Sequence, residues 1–453
     1  MTTRRDFLKY ALFTGAAAGS GGILPDSVRR AIAIAPEVGS TWKDAEHVVI
    51  LMQENRSFDH VFGTLQGVRG FNDPRALRQP NGNPVFMQSG QSGETYLPWR
   101  LNIRDTRVTW MGSIPHSRDS QVDAWNGGGH DRWIDAKKSH HKGYDRYPLT
   151  MGYYTREDLP FYYALADAFT VCDQNYCAAM TSTTPNRLLF MPGTVRDRQE
   201  QSSGVYMRNG EILEGGMTWG TFPERLEQAG VSWKYYQNEL TQTGGMSEAE
   251  RGWLSNFGTN VLECFDQYVV SANPGFQEWL DARISDCRNH LDRLNSREML
   301  VSETLAEKRV EAQTLLDVLT RRKVQSAEKR EKLTAEERAL FEKAFVTNKA
   351  DKNYRTLEQL HFQDGEKPIS MKAPKGDILH QFRQDVKDGT LPVVSWLSAP
   401  EHFSDHPTSP WYGAWYVSEV MDILTENPEI WKKTIFIITY DENDGYFDHG
   451  CSY

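Results

Sequence analysis

The sequence predicts an α/β fold, a mostly parallel sheet sandwiched by helices, and three observations carry that prediction. Two short apolar runs, His47-Val48-Val49-Ile50-Leu51-Met52 and Thr434-Ile435-Phe436-Ile437-Ile438-Thr439-Tyr440, each break at once into a polar, acid-rich cluster. Continuous apolar runs of this length suit strands buried on both faces. Val231 to Tyr236 and Leu391 to Trp396 read as further strands. Helical patterns over Phe222 to Ala229 and Trp415 to Leu424 precede strands, and such alternation marks α/β architecture. Ligands of these sheets gather at the carboxyl ends of the strands, where both acidic clusters lie.

Composition agrees with a large packed body. The 453 residues are 39% apolar, 25% charged and 11% aromatic, and thirteen Trp with nineteen Tyr favour a stiff enzyme-like core over a disordered chain. The net charge of −10 argues against a nucleic-acid partner, which needs a basic stripe to displace phosphate counterions. Five cysteines (Cys172, Cys177, Cys264, Cys287, Cys451) are too few for a disulfide scaffold, although an oxidising compartment would permit one or two bridges. Cys172 and Cys177 lack a second Cys/His pair at zinc-ligand spacing.

Residues 1–35 read as an address. Thr3-Arg4-Arg5-Asp6-Phe7-Leu8-Lys9 matches the twin-arginine export pattern, so the translocase of that pathway is an expected partner and the product is expected to be periplasmic or secreted. The Gly/Ala-rich run from Tyr10 to Leu24 is shorter than the roughly 20 residues that span a bilayer. Ala31-Ile32-Ala33-Ile34-Ala35 offers an A-x-A cleavage site. From about Asp281 to Arg355 the chain turns Lys/Arg/Glu/Asp-rich, with Leu315, Leu316 and Leu319 at helical spacing. This segment reads as an amphipathic helical insertion packed as a hairpin, its charges forming a solvated face.

Three clusters carry candidate chemistry. In Gln53-Glu54-Asn55-Arg56-Ser57-Phe58-Asp59-His60, Glu54 and Asn55 supply oxygen ligands for a divalent cation, while Ser57 or Asp59 suits a helix cap. In Asp441-Glu442-Asn443-Asp444-Gly445, two adjacent carboxylates repel unless a cation or an arginine compensates. Asn443 to Gly445 also suits a surface turn. In Met180-Thr181-Ser182-Thr183-Thr184-Pro185-Asn186-Arg187, a hydroxyl stands in a turn that Pro185 keeps out of a helix interior. Such a hydroxyl is either a cap or a nucleophile activated by a nearby metal.

The segments HVVILMQENRSFDHVFG, TSTTPNRLLFMPGT, SAPEHFSDHP and IFIITYDENDGYFDH, in this order, resemble the successive signatures of the bacterial phosphoesterase family. That family contains the non-haemolytic and haemolytic phospholipases C and a related acid phosphatase, and it is a branch of the alkaline-phosphatase-like superfamily. The resemblance runs from about Ala45 through Asp448 and includes DAWNGGGHDRW and GVSWKYYQN. It implies that Glu54, Asn55, Thr183, Asp441 and Glu442 hold one divalent metal ion, calcium, magnesium or zinc. It implies that Thr183 is the nucleophile and forms a phosphothreonine. Asn55 and His116 match residues that contact the phosphoryl group, and His406 matches a histidine facing the leaving group. His130 stands where relatives carry another residue, and reads as structural or substrate-shaping.

The activity implied is a phospholipase C acting on the phosphatidylcholine or sphingomyelin head group, releasing diacylglycerol and phosphocholine from the former. A phosphomonoesterase with the same nucleophile and metal is the alternative. The resemblance departs in two places. The segment near 281–355 has no counterpart in the pattern, and relatives continue well beyond Cys451-Ser452-Tyr453, so the chain reads as truncated. A truncated chain would leave the Thr434–Tyr440 strand short of neighbours, poorly soluble or weakly active, and an inactive remnant is the third reading.

Overall fold

The computed structural model describes residues 24–106, 112–213, 215–296, 303–364, 367–406 and 410–450. In chain order, the elements that frame the body begin with helix α1 (Asp26–Ala33), strand β1 (His47–Gln53), helix α2 (Phe58–Phe62) and helix α3 (Arg118–Trp125). Helix α4 (Thr183–Phe190), strand β2 (Trp233–Gln237) and the helices α5 (Phe276–Asn295) and α6 (Glu303–Glu331) follow. Helix α7 (His380–Lys387), strand β3 (Val394–Ser398), helix α8 (Pro410–Glu426) and strand β4 (Thr434–Tyr440) complete the frame.

Among the described residues the main sheet has four strands in the order β4-β1-β3-β2, all parallel. Strands β1, β2 and β3 alternate side chains between two hydrophobic clusters, whereas β4, expected to be buried on both faces, is an edge strand with no fully buried residue. Val49, Leu51, Tyr236 and Leu397 enter one cluster, with α1, α7 and α8. Trp233, Tyr235, Val394 and Trp396 enter the other, with α5 and α6, and Ile50 packs against it. The expected parallel sandwich is present, and each of the four expected strands lies within a few residues of its anticipated span.

Helix α8 is the thickest support of the first cluster. Val417, Val420, Met421, Ile423 and Leu424 are all at most 1% exposed, and burying each such side chain contributes about 1.5–3 kcal/mol. Helix α1 lies against it: Val28, Ala31 and Ile32 are fully buried at i, i+3, i+4 spacing, and Ser27 Oγ sits 2.7 Å from Ser418 Oγ. Trp431 Nε1 donates to Ala31 O at 2.9 Å. Residues 1–23 of the expected export signal, Arg4 and Arg5 among them, lie outside the described residues. Its remaining stretch, with Ala31-Ile32-Ala33, is packed into the body here. No helix among the described residues is long and apolar enough to cross a membrane.

The charged segment near 281–355 is helical as expected, and α5 and α6 run antiparallel. Gln277 Nε2 donates to Ser326 Oγ at one end of the pair and Arg309 Nη2 to Leu294 O at the other, both at 2.8 Å. Leu319 is buried in the second cluster, and Leu315 and Leu316 pack against it. Its charges are not all a solvated face. Arg322 lies over the Phe276 and Trp279 rings, 5.1 and 5.8 Å from their centroids, and donates to Gln242 Oε1 at 2.9 Å.

Among the described residues strand β4 pairs with β1 alone, and Ile437 is 41% exposed, in line with the expected shortage of neighbours. Cys172, Cys177, Cys264 and Cys287 are free thiols.

Because α8 is the central prop of the first cluster, Leu424→Ala is expected to cost about 2–5 kcal/mol through lost burial and a residual cavity. Urea unfolding followed by tryptophan fluorescence measures it, and a cost under 1 kcal/mol would refute this assignment.

Candidate functional site

The site forms where β1 and β4 end side by side. Their register pairs Gln53 with Tyr440, so Glu54 and Asp441 emerge as neighbours. Asn55 then turns into the left-handed region at φ 59°, and its backbone N–H donates to Asp441 Oδ1 at 3.2 Å. Asparagine tolerates that conformation where most residues do not. Ser57 caps α2, its Oγ accepting from the His60 N–H at 3.1 Å, so the cap and the ligand candidates coexist in one turn.

Thr183 is placed differently from the expected turn. It is the first residue of α4, and Pro185 falls in the helix's first turn, where a missing N–H costs nothing. The entry to α4 is tied down by side chains. Asn186 Nδ2 donates to Thr181 O and Ser182 O, and Asn209 Oδ1 accepts from Ser182 Oγ at 2.8 Å and Thr184 N at 3.0 Å. Thr183 Oγ1 then sits 3.4 Å from Asn55 Oδ1.

Four carboxylates, Glu54, Asp441, Glu442 and Asp444, are buried here at no more than 3% exposure. Arg187, one helical turn after Thr183, answers part of that charge. Its Nε donates to Asp441 Oδ2 at 2.9 Å, and its Nη2 lies 3.6 Å from Glu54 Oε1. Arg187 also reaches the carbonyls of Met52 and Gln53, which locks α4 to the end of β1. Neither Glu54 oxygen accepts a hydrogen bond, and Glu442 Oε1 accepts none. Burial first, then the Asp441 charge, holds the Glu54 carboxyl well above the ordinary range. Burial and the Asp441 and Asp444 charges do the same to Glu442, with His116 opposing them. These are buried anionic oxygens short of positive charge, a donor set that fits a hard divalent cation.

His116 and Lys137 supply the charge on the other side. His116 Nδ1 lies 2.7 Å from Asp444 Oδ1 and 2.8 Å from Ile114 O. Burial opposes a charged imidazole, yet the Asp444 and Glu442 carboxylates outweigh it and push the pKa up to about 10. Lys137 is buried, and its ammonium donates to Pro115 O, Ser120 Oγ and Gln121 Oε1 at 2.8–3.2 Å. Burial lowers its pKa to about 8. Gln121 in turn donates to Asn443 Oδ1 at 2.9 Å, to Asp444 O at 2.8 Å and to Glu442 Oε2 at 3.4 Å. Gly445 is a close approach: a Cβ there would stand 2.7 Å from Ile114 and 2.8 Å from Pro115 O, against the loop that carries His116.

His406 joins from the end of β3. Its ring centroid is 5.9 Å from that of His116, and its Nδ1 is 3.7 Å from Glu401 Oε1. The residue before it, Asp405, is held at φ 70° and accepts from the hydroxyls of Tyr162 and Tyr440 at 2.6 and 2.7 Å. His130 stands apart, its ring stacked 6.4 Å from Trp133 and its carbonyl accepting from Gln88.

Glu54, Asn55, Thr183, Asp441, Glu442, His116 and His406 are therefore brought into one region. Arg187, Asp444, Gln121 and Lys137 received no role from the sequence. Arg187 had a visible signal, an arginine one turn after the hydroxyl in a chain that needed a counter-charge for Asp441 and Glu442. Lys137 had none, because nothing in Asp135-Ala136-Lys137-Lys138 distinguishes a buried lysine from an exposed one.

A second group, Asp59, Asp448 and His449, also brings candidate ligand atoms within 4.8 Å of one another. Some of its ligand atoms are already bonded, while Asp59 Oδ1 has no hydrogen-bond partner. Asp59 Oδ2 accepts from the N–H and Nδ1 of His449, and Asp448 accepts from the N–H groups of Phe58, Asp59 and Gly450. His449 Nε2 faces Asp73 at 3.5 Å. That arrangement holds the 446–450 segment to α2 as an ion-pair latch. A groove of about 960 Å³ runs along the free edge of β4, touching Gln121 and Glu442 but not Thr183, His116 or His406.

A hydroxyl, carboxylates and histidines thus gather at the carboxyl edge of a parallel sheet, where ligands of such sheets bind. The chain belongs to the Phosphoesterase family, whose sequence profile matches residues 45–296 and 293–452. It is 37% identical over 452 residues to the non-hemolytic phospholipase C of Burkholderia pseudomallei, covering 98% of this chain and 50% of that protein. It is 33% identical to the hemolytic phospholipase C of Pseudomonas aeruginosa, covering 99% of this chain and 49% of that protein. Phospholipase C B of Mycobacterium tuberculosis is 30% identical, with 99% and 68% covered. The chain thus spans about half the length of the first two relatives.

The His116–Asp444 pair sets a pH dependence. A folded pKa of about 10 against an ordinary 6.5 means the pair stabilises fully below pH 6.5 and loses its contribution as pH rises towards 10. In protein stripped of divalent metal, the urea-midpoint gap between wild type and His116→Gln is expected to be widest near pH 6 and to close by pH 10. A gap that stays constant across that window would contradict the pairing.

Proposed function

We propose that this chain hydrolyses phosphodiesters as a phospholipase C, with Thr183 as nucleophile. The observation that carries the reading is the Thr183 hydroxyl at a helix start, 3.4 Å from Asn55 Oδ1 and beside the buried carboxylates. The phospholipase C names of its relatives support the same class.

Glu54, Asn55, Thr183, Asp441 and Glu442 would hold one divalent metal, because Glu54 and Glu442 offer oxygens without hydrogen-bond donors. Bound there, calcium, magnesium or zinc would supply Lewis-acid polarisation of the phosphoryl oxygen and lower the pKa of the hydroxyl. The chain's own groups do the rest. The amino-terminal end of α4 favours an anionic phosphoryl group over Thr183. Asn55 orients a phosphoryl oxygen, and His116, cationic at neutral pH beside Asp444, donates to another. Thr183 gives its hydroxyl proton to solvent, its Oγ1 attacks phosphorus and the bond to the leaving alkoxide breaks, giving a phosphothreonine that still carries the head group. His406 gives the alkoxide its proton, and water then cleaves the phosphothreonine. The proposed substrate is a phospholipid with a choline head group, phosphatidylcholine or sphingomyelin.

Release of p-nitrophenol from p-nitrophenyl phosphorylcholine and from p-nitrophenyl phosphate, with and without chelator, tests this. The diester is expected to be preferred, with Thr183→Ala losing roughly 1,000-fold or more at unchanged circular dichroism. Asp441→Asn should lose metal by elemental analysis together with activity. Preference for the monoester would make the chain a phosphatase, and no turnover of either would make it an inactive remnant.

We also propose export by the twin-arginine route, on the Arg4-Arg5-Asp6-Phe7-Leu8-Lys9 pattern. Lysine at both Arg4 and Arg5 is expected to leave the protein in the cytoplasm, as fractionation and immunoblotting would read. Normal export of that variant would refute the route.

A further inference from the structure

Phe257 has a backbone conformation that its side chain does not favour. It sits at φ 57°, where a bulky aromatic is an outlier and where glycine would sit without strain. Core packing does not account for the phenylalanine, since its half-buried side chain is part of none of the three hydrophobic clusters. The ring instead lies against the site, 4.6 Å from the ring centroid of His406.

The turn is held rigidly by the residue on its amino side. Asn256 is fully buried, and its Oδ1 accepts from Thr241 Oγ1 at 2.5 Å and from the Gly258 N–H at 3.0 Å. Its Nδ2 donates to Gln237 Oε1 at 2.8 Å and to Glu263 Oε1 at 2.7 Å. The buried Glu263 carboxylate also takes the N–H groups of Thr241 and Gln242. On the carboxyl side, Thr259 donates through N and Oγ1 to Asn256 O. This pedestal rises from the end of β2 and holds one aromatic ring beside the histidine that faces the leaving group in the proposed reaction. Strain kept in place by so many bonds is found where a side chain has work beyond packing.

We propose that Phe257 is a specificity-determining contact for the alcohol half of the phosphodiester, selecting leaving alcohols that carry hydrocarbon. The inference rests on the phosphodiesterase reading above, with His406 on the leaving-group side. A further aromatic contact precedes this turn: Trp253, in the helix Glu248–Leu254, packs edge-on against His402 at 4.3 Å. A hydrocarbon chain leaving past His406 would find apolar surface there, whereas a methyl ester would barely reach it.

The test compares dihexanoyl phosphatidylcholine with methyl phosphocholine, which share the phosphocholine group and differ in the leaving alcohol. Phe257→Gly is expected to reduce the ratio of their kcat/KM values by roughly 10-fold or more, with Tm equal to or above wild type as the strain is relieved. Phe257→Asn, which tolerates the same backbone conformation, should behave alike, and Phe257→Tyr should restore the ratio. An unchanged ratio in an active Gly or Asn variant overturns this inference and leaves the phosphodiesterase reading standing. So does a fall in Tm with equal loss on both esters, the mark of a structural role. A wild-type protein that hydrolyses neither ester overturns both.

Discussion

Four carboxylates buried at the adjoining ends of two parallel strands are the constraint around which the rest of this structure is arranged. Glu54 and Asp441 are neighbours because the β1–β4 register makes them so, and Glu442 and Asp444 follow within one turn. Unpaired, each buried charge would cost several kcal/mol. The protein meets that cost from two directions. Arg187 approaches from α4, and His116 with Lys137 approaches from the segment between α2 and Tyr153. These cations also fix geometry. The Arg187 side chain that offsets Asp441 is the one that ties α4, and so Thr183, to the last carbonyls of β1.

Backbone strain marks the same region. Asn55, Phe257, Asp405 and Asp444 all have positive φ, and each either belongs to the site or directly precedes or faces one of its side chains. Left-handed residues turn the chain sharply, so a strand can end and present the next side chain inward within one residue. Asp405 shows how such a turn is maintained. Burial raises its pKa to about 6, with Arg56 and the hydroxyls of Tyr162 and Tyr440 opposing that rise, and those hydroxyls hold the carboxylate in place just before His406.

Much of the fold was legible because strands covered on both faces leave an unmistakable trace, six or seven apolar residues followed by polar ones. The need for a counter-charge at one strand end was legible for a different reason: Asp441 and Glu442 repel unless something positive meets them, whereas Glu54-Asn55 by itself read equally as a polar turn. What was hidden depends on the third dimension. Thr183 was expected in a turn because a proline follows it by two positions, but a helix tolerates proline in its first turn, and the chain exploits that. Lys137 looks like a surface residue until the fold buries it, and Phe257 is a phenylalanine beside a glycine until its φ is known. The resemblance to the phosphoesterases supplied roles for individual histidines that spacing alone could not assign.

The parallel ladder between β1 and β4 couples stability to chemistry more tightly than burial alone would. Side chains along a strand alternate faces, so a slip of one residue between β1 and β4 would turn Phe436 and Ile438 away from the first cluster and carry Asp441 away from Asn55 together. The register therefore selects the distance between the two acidic pairs. Strand β4 has β1 as its single neighbour in the described sheet, so this ladder carries the alignment without help from a strand on the other edge. The latch joining Asp448 and His449 to α2 adds a second attachment just past the acidic turn, and the Gln121 bonds to Asn443 and Asp444 add a third. With the strand end gripped on both sides, Asp441 and Glu442 are positioned by the structure around them, which is how side chains at a strand end are kept in a fixed relation to their neighbours.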